Sequence, residues 1–452
     1  MKVVKFGGSS LASSTQLNKV LAIVKSDEQR KIVVVSAPGK RNPDDEKVTD
    51  LLIEYADAYL ANLEYQEIQA QIIQRYEAIA FELNLGDAII EDIRQAILNL
   101  AEETELSQDA ARVMDRFKAS GENNNAKLVA TFFQKNGLKA RYMSPQEAGM
   151  IVSDEPGNAL ILPSSYDELF KLRATEEVLV IPGFFGYTEK GEICTFSRGG
   201  SDITGSIIAA GIHADLYENF TDVDAIYAAH PGLVKNPHKI KELTFREMRE
   251  LSYAGFGVFH DEALIPAFRG GIEVVIKNTN NPSAPGTRIL LDRQPGDEAV
   301  IGIAGDSGFA IFYMSKYLMN REIGFGRKVL EILEDESLNY EHMPSGIDDI
   351  SIIVREHQLS TDVENRLIDR FKKELQVDEI HVNHNLSMIA IVGEGMKSNV
   401  GTAAKSTHAL SAAGVNLEMI NQGSSEVSIL FGIKSCHEDI AIQALYEEFF
   451  KK

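Results

Sequence analysis

The alternation of short apolar runs with one amphipathic segment near the N-terminus restricts the fold more than any other feature. Residues 3–6 (Val-Val-Lys-Phe) form a short predicted strand that ends in two glycines, and a helix is predicted over residues 15–26. Residues 31–35 (Lys-Ile-Val-Val-Val) then form a continuous run dominated by β-branched side chains. A strand, a helix and a second fully buried strand are typical of a parallel α/β sheet.

After about residue 50, the N-terminal part of the chain contains a helical region and then returns to an alternation of strands and helices. Residues 51–118 are rich in Ala, Leu, Glu and Gln at helical spacing, which predicts a helical insertion whose charges form a solvated face and offer no chemistry. Residues 125–291 return to the α/β pattern, with buried strands predicted at 178–182 and 274–276. A linker at 294–297 predicts a boundary between domains 1–296 and 297–452.

Residues 299–452 contain two similar units, at about 299–383 and 384–452. Each unit is predicted to run strand, helix, strand, strand, helix; the strands and helices fall at 310–314, 325–333, near 340, 350–354 and 362–374 in the first unit, and at 388–392, 400–413, 416–420, 427–431 and 438–450 in the second. The second unit ends without the final strand that such a sheet normally has. We therefore expect the units to interleave, one lending a strand to the other.

Charge and composition argue against several classes of partner. The chain has 67 acidic and 45 basic residues and a formal net charge of -22, so its surface repels nucleic acid and anionic lipid. We predict no membrane span, because no apolar run is long enough, and no signal peptide, because the first residues enter a strand pattern directly. We also predict no metal-ligand cluster, and two free thiols at Cys194 and Cys436. These features predict a cytoplasmic protein.

The segment after the first strand carries the strongest chemical signal. Lys5 is followed by Gly7 and Gly8 and then by the hydroxyls of Ser9 and Ser10, so backbone N–H groups can approach an anion and Lys5 can reach a phosphoryl group. The segment is neither a Walker A loop nor a dinucleotide-binding Gly-x-Gly-x-x-Gly. It predicts phosphate binding, with an ordinary strand-to-helix turn as the alternative.

A second pair of glycines opens a later helix. Arg198 precedes Gly199 and Gly200, and Ser201 and Asp202 follow them. Arginine suits bidentate binding of a carboxylate, and the aspartate can orient Lys5 or a substrate ammonium group. The alternative is a capped helix with a surface arginine.

A third segment follows a strand predicted at residues 214–218. Thr221, Asp222 and Tyr227 combine polar caps with an aromatic ring, which suits a nucleotide base and ribose. On spacing alone, a plain acidic turn is the better interpretation of this segment.

Together these segments resemble the amino-acid kinase superfamily and, within it, the aspartokinases. Further segments match that family, at residues 35–39 (Val-Ser-Ala-Pro-Gly), 48–52, 120–122, 183–186, 259–260, 281–282 and 286–287. The C-terminal pair resembles the tandem ACT domains of aspartokinases. The resemblance covers essentially the whole chain and implies an α/β three-layer sandwich with a mainly parallel central sheet and a helical insertion, followed by two ferredoxin-like α+β ACT domains.

The resemblance also implies a reaction. The γ-phosphate of ATP, with Mg²⁺, passes to the β-carboxylate of L-aspartate and gives 4-phospho-L-aspartate, the first step of lysine, threonine and methionine biosynthesis. Two like charges at about 4 Å repel by roughly 4 kcal/mol at an effective dielectric near 20, so positive groups must offset that repulsion. The attacking carboxylate is anionic at neutral pH and needs no strong base, which leaves positioning and charge stabilisation as the main tasks.

Roles for individual residues follow from the same resemblance. The expected catalytic residues are Lys5 and Asp202. The expected aspartate contacts are Ser36, Thr49, Glu122, Phe184, Arg198 and Ser201, with Arg198 on the α-carboxylate and Glu122 on the ammonium group. The expected ATP contacts are Lys5, Gly7, Gly8, Ser9, Thr221, Asp222 and Tyr227. An effector amino acid, lysine or threonine or both, is expected at Met319, Gly326, Tyr340, Glu341 and Ser345. ACT units usually pair across chains, which implies a homodimer or larger assembly.

Departures from the family pattern leave alternatives open. Ser197, Gly232 and Gly257 stand where family members often have glycine, arginine and lysine, so two basic ATP contacts are missing; the candidate replacements are Lys235, Lys239 and Lys277. One alternative is a kinase for glutamate or N-acetylglutamate, against which Arg198 and Glu122 argue. The other is an amino-acid sensor with an inactive kinase domain, against which the intact Lys5, Arg198 and Asp202 argue. We expect no dehydrogenase domain after the second ACT unit.

Overall fold

The computed structural model describes residues 1–104, 109–257, 262–294, 298–424 and 427–451. The chain forms two compact units. The first comprises Met1–Ile226, Lys239–Met248 and Val258–Arg293, and the second comprises Tyr227–His238, Arg249–Gly257 and Gln294–Lys452. The linker predicted at 294–297 lies mostly outside the described residues, and the predicted domain limits stay predictions.

A mainly parallel sheet forms the centre of the first unit. Its strands and those of a neighbouring hairpin are β1 (Lys2–Phe6), β2 (Arg30–Val35), β3 (Ala140–Tyr142), β4 (Val178–Pro182), β5 (Phe185–Tyr187), β6 (Ile193–Thr195), β7 (Leu216–Thr221), β8 (Glu242–Thr244), β9 (Val274–Asn278) and β10 (Thr287–Leu290). The sheet order in the described residues is β3-β4-β2-β1-β7-β9-β10-β8, and β5 pairs with β6. Neighbouring strands of the sheet are parallel except β9 and β10.

Helices cover this sheet and fill the region that the sequence assigns to an insertion. They are α1 (Ser14–Lys25), α2 (Val48–Leu60), α3 (Gln66–Glu82), α4 (Asp87–Glu102), α5 (Ala110–Lys135), α6 (Ser164–Lys171), α7 (Gly200–Gly211) and α9 (Ile265–Gly270). A further helix, α8 (Phe245–Tyr253), begins in the first unit, and its residues from Arg249 onward belong to the second. The helix predicted at 15–26 is present as α1, preceded by a 3-10 turn at Gly8–Leu11. Two local expectations are wrong: the helical region continues to Lys135 instead of ending near 118, and β7 extends through Thr221.

The alternation of side chains along β1 and β7 assigns different tasks to the two faces of the sheet. Val4, Phe6 and Phe220 belong to the apolar core that α1 to α5 close. Lys5 and Asn219, which are in register on the neighbouring strands, therefore point to the opposite face. There α7 approaches so closely that a Cβ at Gly205 would lie 2.5 Å from the Tyr217 hydroxyl oxygen.

An antiparallel sheet forms the centre of the second unit. Its strands are β11 (Gly302–Ser315), β12 (Tyr340–His342), β13 (Asp349–Arg355), β14 (Glu379–Val392), β15 (Met419–Asn421) and β16 (Ser428–Lys434), and its helices are α10 (Phe325–Asp335), α11 (Thr361–Glu374), α12 (Thr402–Ala412) and α13 (Glu438–Phe450). In the described residues the strand order is β12-β13-β11-β14-β16-β15.

The long strands β11 and β14 are each shared by the two ACT-like halves of this sheet. Residues 309–315 of β11 lie between β13 and the first half of β14, whereas residues 302–307 pair with residues 387–392 of β14, which in turn pair with β16. Gly308, at φ 81°, and a shift in register separate the halves of β11. The strand that the second half lacks in its own sequence thus comes from the segment that precedes the first half.

Candidate active site

An ion pair between β1 and α7 stands at the centre of the candidate site. Lys5 is 7% exposed, and its Nζ lies 2.6 Å from Oδ1 of Asp202 in the first turn of α7. Asn219 Nδ2 donates to the same oxygen over 2.6 Å, and the Tyr217 hydroxyl donates to the Asp202 carbonyl over 3.2 Å. Because β7 supplies both donors, the carboxylate is fixed and the Lys5 ammonium group is held in one place.

Two backbone loops meet beside Lys5. The Gly7 N–H donates to the Phe220 carbonyl over 3.1 Å, and the Gly39 N–H donates to the Gly8 carbonyl over 2.9 Å. A Cβ at Gly39 would lie 2.5 Å from the Gly8 carbonyl carbon. The segment after β1 therefore packs backbone against backbone on the segment after β2, and position 39 must be glycine.

A cleft of about 700 Å³ opens in front of these loops. It is lined by eleven of the residues that the sequence analysis assigns to substrates or catalysis: Lys5, Gly8, Ser9, Ser36, Thr49, Glu122, Phe184, Arg198, Ser201, Asp202 and Asp222. Although these residues are far apart in the sequence, the fold places both predicted cationic groups, Lys5 and Arg198, in one cleft with the predicted ammonium-binding carboxyl of Glu122.

Glu122 is the buried acidic group of the cleft. It is 5% exposed on α5, and burial raises the pKa of its carboxyl to about 8. The Ala37 N–H donates to this carboxyl, but its Oε2 has no hydrogen-bond partner among the described residues. A buried carboxyl oxygen without a donor is unfavourable, so a ligand that brings an N–H donor here would gain from it.

Phe184 is held in a strained backbone conformation at the edge of the cleft. Its φ is 79°, which is unusual for a bulky side chain and occurs preferentially at functional sites. The Phe184 N–H donates to Thr204 Oγ1 over 2.9 Å, and a Cβ at Gly200 would lie 2.3 Å from the Phe184 ring. The paired glycines before α7 therefore accommodate this ring as well as opening the helix.

Several predicted residues lie elsewhere. Gly7 and Thr221 adjoin the lining residues Gly8 and Asp222 without lining the cleft as described, and Tyr227 belongs to the second unit. Residues 259–260, a matching segment, fall outside the described residues.

The basic replacements considered from the sequence do not line the cleft as described. Lys239 pairs with Asp224 at 3.0 Å, Lys277 is half-buried on β9, and Lys235 belongs to the second unit. Two exposed lysines that were not predicted from the sequence, Lys40 and Lys47, also line the cleft. They flank the matching segments 35–39 and 48–52, and that adjacency was the available signal.

The predicted effector residues lie at two places in the second unit. Met319 and Ser345 lie in or beside neighbouring loops, which are joined by the Lys316 N–H to the Asp348 carbonyl (2.8 Å) and the Asn320 N–H to the Ile347 carbonyl (3.2 Å). Gly326 lies in the first turn of α10, and Tyr340 and Glu341 are on β12.

Glu341 already has two partners. Its Oε1 lies 3.0 Å from Arg355 Nε, and it accepts a hydrogen bond from the Tyr253 hydroxyl. An effector that used this carboxylate would have to share it with them.

Other sequence-based expectations concern metals, membranes and thiols. Within the described ranges, no group of three or more His, Cys, Asp or Glu side chains is placed to hold a metal ion, and no helix is long and apolar enough to cross a membrane. Cys194 and Cys436 are both free, as predicted.

Comparison with known proteins extends over both units. The amino acid kinase family model matches residues 1–278, and an ACT domain model matches residues 389–449. Aspartokinase 3 of Bacillus subtilis (strain 168) is 58% identical over 450 residues, which are 100% of this chain and 99% of that protein.

Solved structures show the same architecture. The crystal structure of aspartate kinase from Clostridium acetobutylicum is 37% identical with a TM-score of 0.85 and covers 99% of this chain and 100% of its own. Aspartokinase III of E. coli, solved with aspartate and ADP, has a TM-score of 0.83 at 24% identity over 100% of both chains, a likeness of fold.

Proposed function

The chain belongs to the amino acid kinase family and, within it, to the aspartokinases, and from this premise we propose that the cleft around Lys5 binds ATP and L-aspartate side by side. The reaction of an aspartokinase moves the γ-phosphate of ATP to the β-carboxylate of aspartate. The observation that supports this location best is the convergence of Lys5, Arg198 and Glu122 on a single cleft. Two cationic groups and one unpaired carboxyl oxygen match two anionic groups and one ammonium group.

In the proposed complex, charge complementarity orients the aspartate. Arg198 binds the α-carboxylate as a bidentate donor, and Glu122 accepts hydrogen bonds from the ammonium group. The β-carboxylate then points towards Lys5. Smaller contacts come from Ser36, Thr49, Phe184 and Ser201, which line the same cleft.

Lys5 stabilises the charge that develops on the transferring phosphoryl group. Asp202, supported by Asn219, keeps the Lys5 side chain in position. The backbone of Gly8 and Ser9 borders the same cleft and can donate to phosphate oxygens. Lys40 and Lys47 add positive charge where the triphosphate enters, and they take over from the family's missing basic contacts. The contacts of ATP with Gly7, Thr221 and Tyr227 remain predictions from resemblance.

Mg²⁺ is proposed to enter with ATP. Carboxylate oxygens suit this ion, which is usually held by one or two carboxylates together with substrate phosphates. Asp222 and Asp202 both line the cleft, and when bound the ion would offset the negative charge of the phosphates.

A hydroxamate assay tests the proposed substrate directly. The protein is incubated with ATP, Mg²⁺, hydroxylamine and either aspartate, glutamate or N-acetylglutamate, and the acyl hydroxamate is measured. Signal with aspartate alone supports the proposal. Signal with another substrate would assign the cleft to a different carboxylate kinase, and no signal would favour an inactive sensor.

The raised pKa of Glu122 predicts how aspartate binding depends on pH. Below about 8 the carboxyl carries a proton, which must leave before the ammonium group can pair with it. At saturating ATP, KM for aspartate should therefore fall by up to about tenfold per unit between roughly pH 6 and 7, and level off above the pKa. Glu122→Gln should remove most of this slope, and an unchanged slope in that variant would contradict the assignment.

Glu122 also makes the stability of the folded protein depend on pH. Stability falls as pH rises, whereas aspartate binding becomes stronger. Burial raises the pKa of the Glu122 carboxyl to about 8 in the ligand-free fold, whereas in the unfolded chain its pKa is near the ordinary value of 4.5. The unfolded chain therefore binds fewer protons between these values, so this group makes the fold less stable as pH rises through that window.

The second unit is proposed to bind an end-product amino acid and to control the first. When lysine and threonine are added separately and together, at least one of them should inhibit the kinase activity. The same amino acid should raise the melting temperature, as expected for a ligand of the folded state. Tyr340→Ala should weaken that response without changing the uninhibited rate. Activity and melting temperature that respond to neither amino acid would refute these effectors.

We also propose that the protein forms a homodimer or larger assembly through the ACT units.

A further inference from the structure

Two consecutive side chains of α3 reach from the helical insertion to the backbone behind the cleft. Arg75 is 6% exposed and Tyr76 is 2% exposed, so the expectation of a merely solvated face fails here. Each donates to the carbonyl of a glycine: Arg75 Nη2 to Gly39, and the Tyr76 hydroxyl to Gly121 over 2.7 Å. Both glycines adjoin residues that face the substrates.

The Arg75 contact bears on the glycine segment after β1. Gly39 packs backbone against backbone on Gly8 and donates its N–H to the Gly8 carbonyl over 2.9 Å. Arg75 Nη1 also lies 2.5 Å from Asp45 Oδ2. By holding both Gly39 and Asp45, one guanidinium anchors the two ends of the loop that presses on Gly8.

Asp45 is a strong anchor for this loop. Arg41 binds both of its oxygens, at 2.8 and 2.9 Å, and donates its own N–H to it over 2.8 Å. Hydrogen bonds from Arg41 and Arg75 hold the pKa of the Asp45 carboxyl well below its usual range. The carboxylate is therefore charged throughout the pH range of an activity assay.

The Tyr76 contact bears on the turn of α5 that carries Glu122. Gly121 directly precedes Glu122, and a Cβ there would lie 2.9 Å from Leu52 and 3.1 Å from Ala37. The Ala37 N–H in turn donates to the Glu122 carboxyl. A shift of the Gly121 carbonyl would therefore move Glu122 relative to its fixed donor.

We propose that Arg75 and Tyr76 are positioning residues for different substrates, Arg75 setting the glycine segment that receives the ATP phosphates and Tyr76 setting the helical turn that presents Glu122 to aspartate. This inference rests on the proposed function of the cleft and extends it to two residues behind its lining. The side chains are neighbours on one helix, so a general loosening of α3 would weaken both substrates alike. Separate effects on the two substrates require the two separate contacts.

Full-length Arg75→Lys and Tyr76→Phe variants test this division. Arg75→Lys keeps the charge but cannot span Gly39 and Asp45 together, and it should raise KM for ATP about fivefold to thirtyfold, the loss of a buried hydrogen bond. Tyr76→Phe should raise KM for aspartate by a similar factor. In each variant KM for the other substrate should stay within about twofold, since only one buried contact is lost.

Matched controls come from the same unit. Tyr59→Phe removes another buried tyrosine hydroxyl that donates to a backbone carbonyl, that of Thr104. Arg30→Lys alters another buried guanidinium that joins a carboxylate, Glu218, to a carbonyl, that of Ile23. Neither control should change the ratio of the two KM values, and melting temperatures measured alongside report any loss of stability.

A second variant protects the test against a folding defect. Asp45→Asn loosens the same loop without altering α3, and it should reproduce the rise in KM for ATP. Equal changes in both KM values, or no change in either, would overturn the positioning roles. The parent protein is assayed for aspartyl hydroxamate in parallel: an inactive parent refutes the proposed function, whereas an active parent with undivided effects refutes this inference alone.

Discussion

Replacing Lys5 by alanine should lower kcat by about a hundredfold or more, because the variant loses a preorganised positive charge at the transferring phosphoryl group. The substitution should affect catalysis more than folding, because Asp202 keeps its 2.6 Å hydrogen bond from Asn219 after the Lys5 ammonium group is gone. Coupled measurement of ADP release at saturating ATP and aspartate gives kcat, and the melting temperature should change little.

Lys2 offers a matched control on the same strand. It pairs with Asp27 at 2.7 Å and does not line the cleft as described, so Lys2→Ala removes a lysine ion pair from β1 without touching the proposed chemistry. We expect nearly unchanged kcat for Lys2→Ala. Retention of parental turnover by Lys5→Ala would contradict the catalytic role of Lys5.

The second large effect is expected at Arg198. Arg198→Ala should raise KM for aspartate roughly tenfold to a hundredfold, as expected for loss of a bidentate charge-assisted contact. KM for ATP should rise much less, since the α-carboxylate of aspartate is the proposed partner. Arg198 is exposed, so its removal leaves no buried cavity and should not reduce stability measurably.

Arg141 provides the comparison for this variant. It is a half-buried arginine of the same unit, paired with Glu147 at 2.7 Å, and Arg141→Ala should leave both KM values unchanged. An equal rise in KM for ATP and for aspartate in Arg198→Ala would show that Arg198 does not discriminate between the substrates, and the proposed orientation of aspartate would then be wrong.

The site residues that could be predicted from the sequence are those that belong to a short, recognisable motif. Lys5 lies two residues before one pair of glycines and Arg198 lies directly before another, and such a pattern can be recognised within ten residues. Their meeting in one cleft follows from topology, because β1 and β7 are neighbours in the sheet and the chain enters α7 just before β7. The predicted roles of these residues stay predictions until kinetics test them.

Other parts of the site carry no local signal. Arg75 and Tyr76 lie in an amphipathic helix of ordinary composition, and their acceptors Gly39 and Gly121 are 36 and 45 residues away. The end of α5 at Lys135 was also missed, and within this helix Gly121 is required by the close approach of Leu52 and Ala37. Long-range packing, which single-sequence periodicity does not report, decided these features.

The sharing of β11 and β14 has a practical consequence for experiments that exchange the proposed effector-binding unit of this protein. A graft cut at residue 384, between the apparent repeats, would separate residues 302–307 from their ladder partners 387–392 and leave a bare edge prone to self-association. Transplanting one half of the sheet alone would need junctions at Gly308 and within β14 near Leu386. Moving the pair as a single cassette avoids this difficulty.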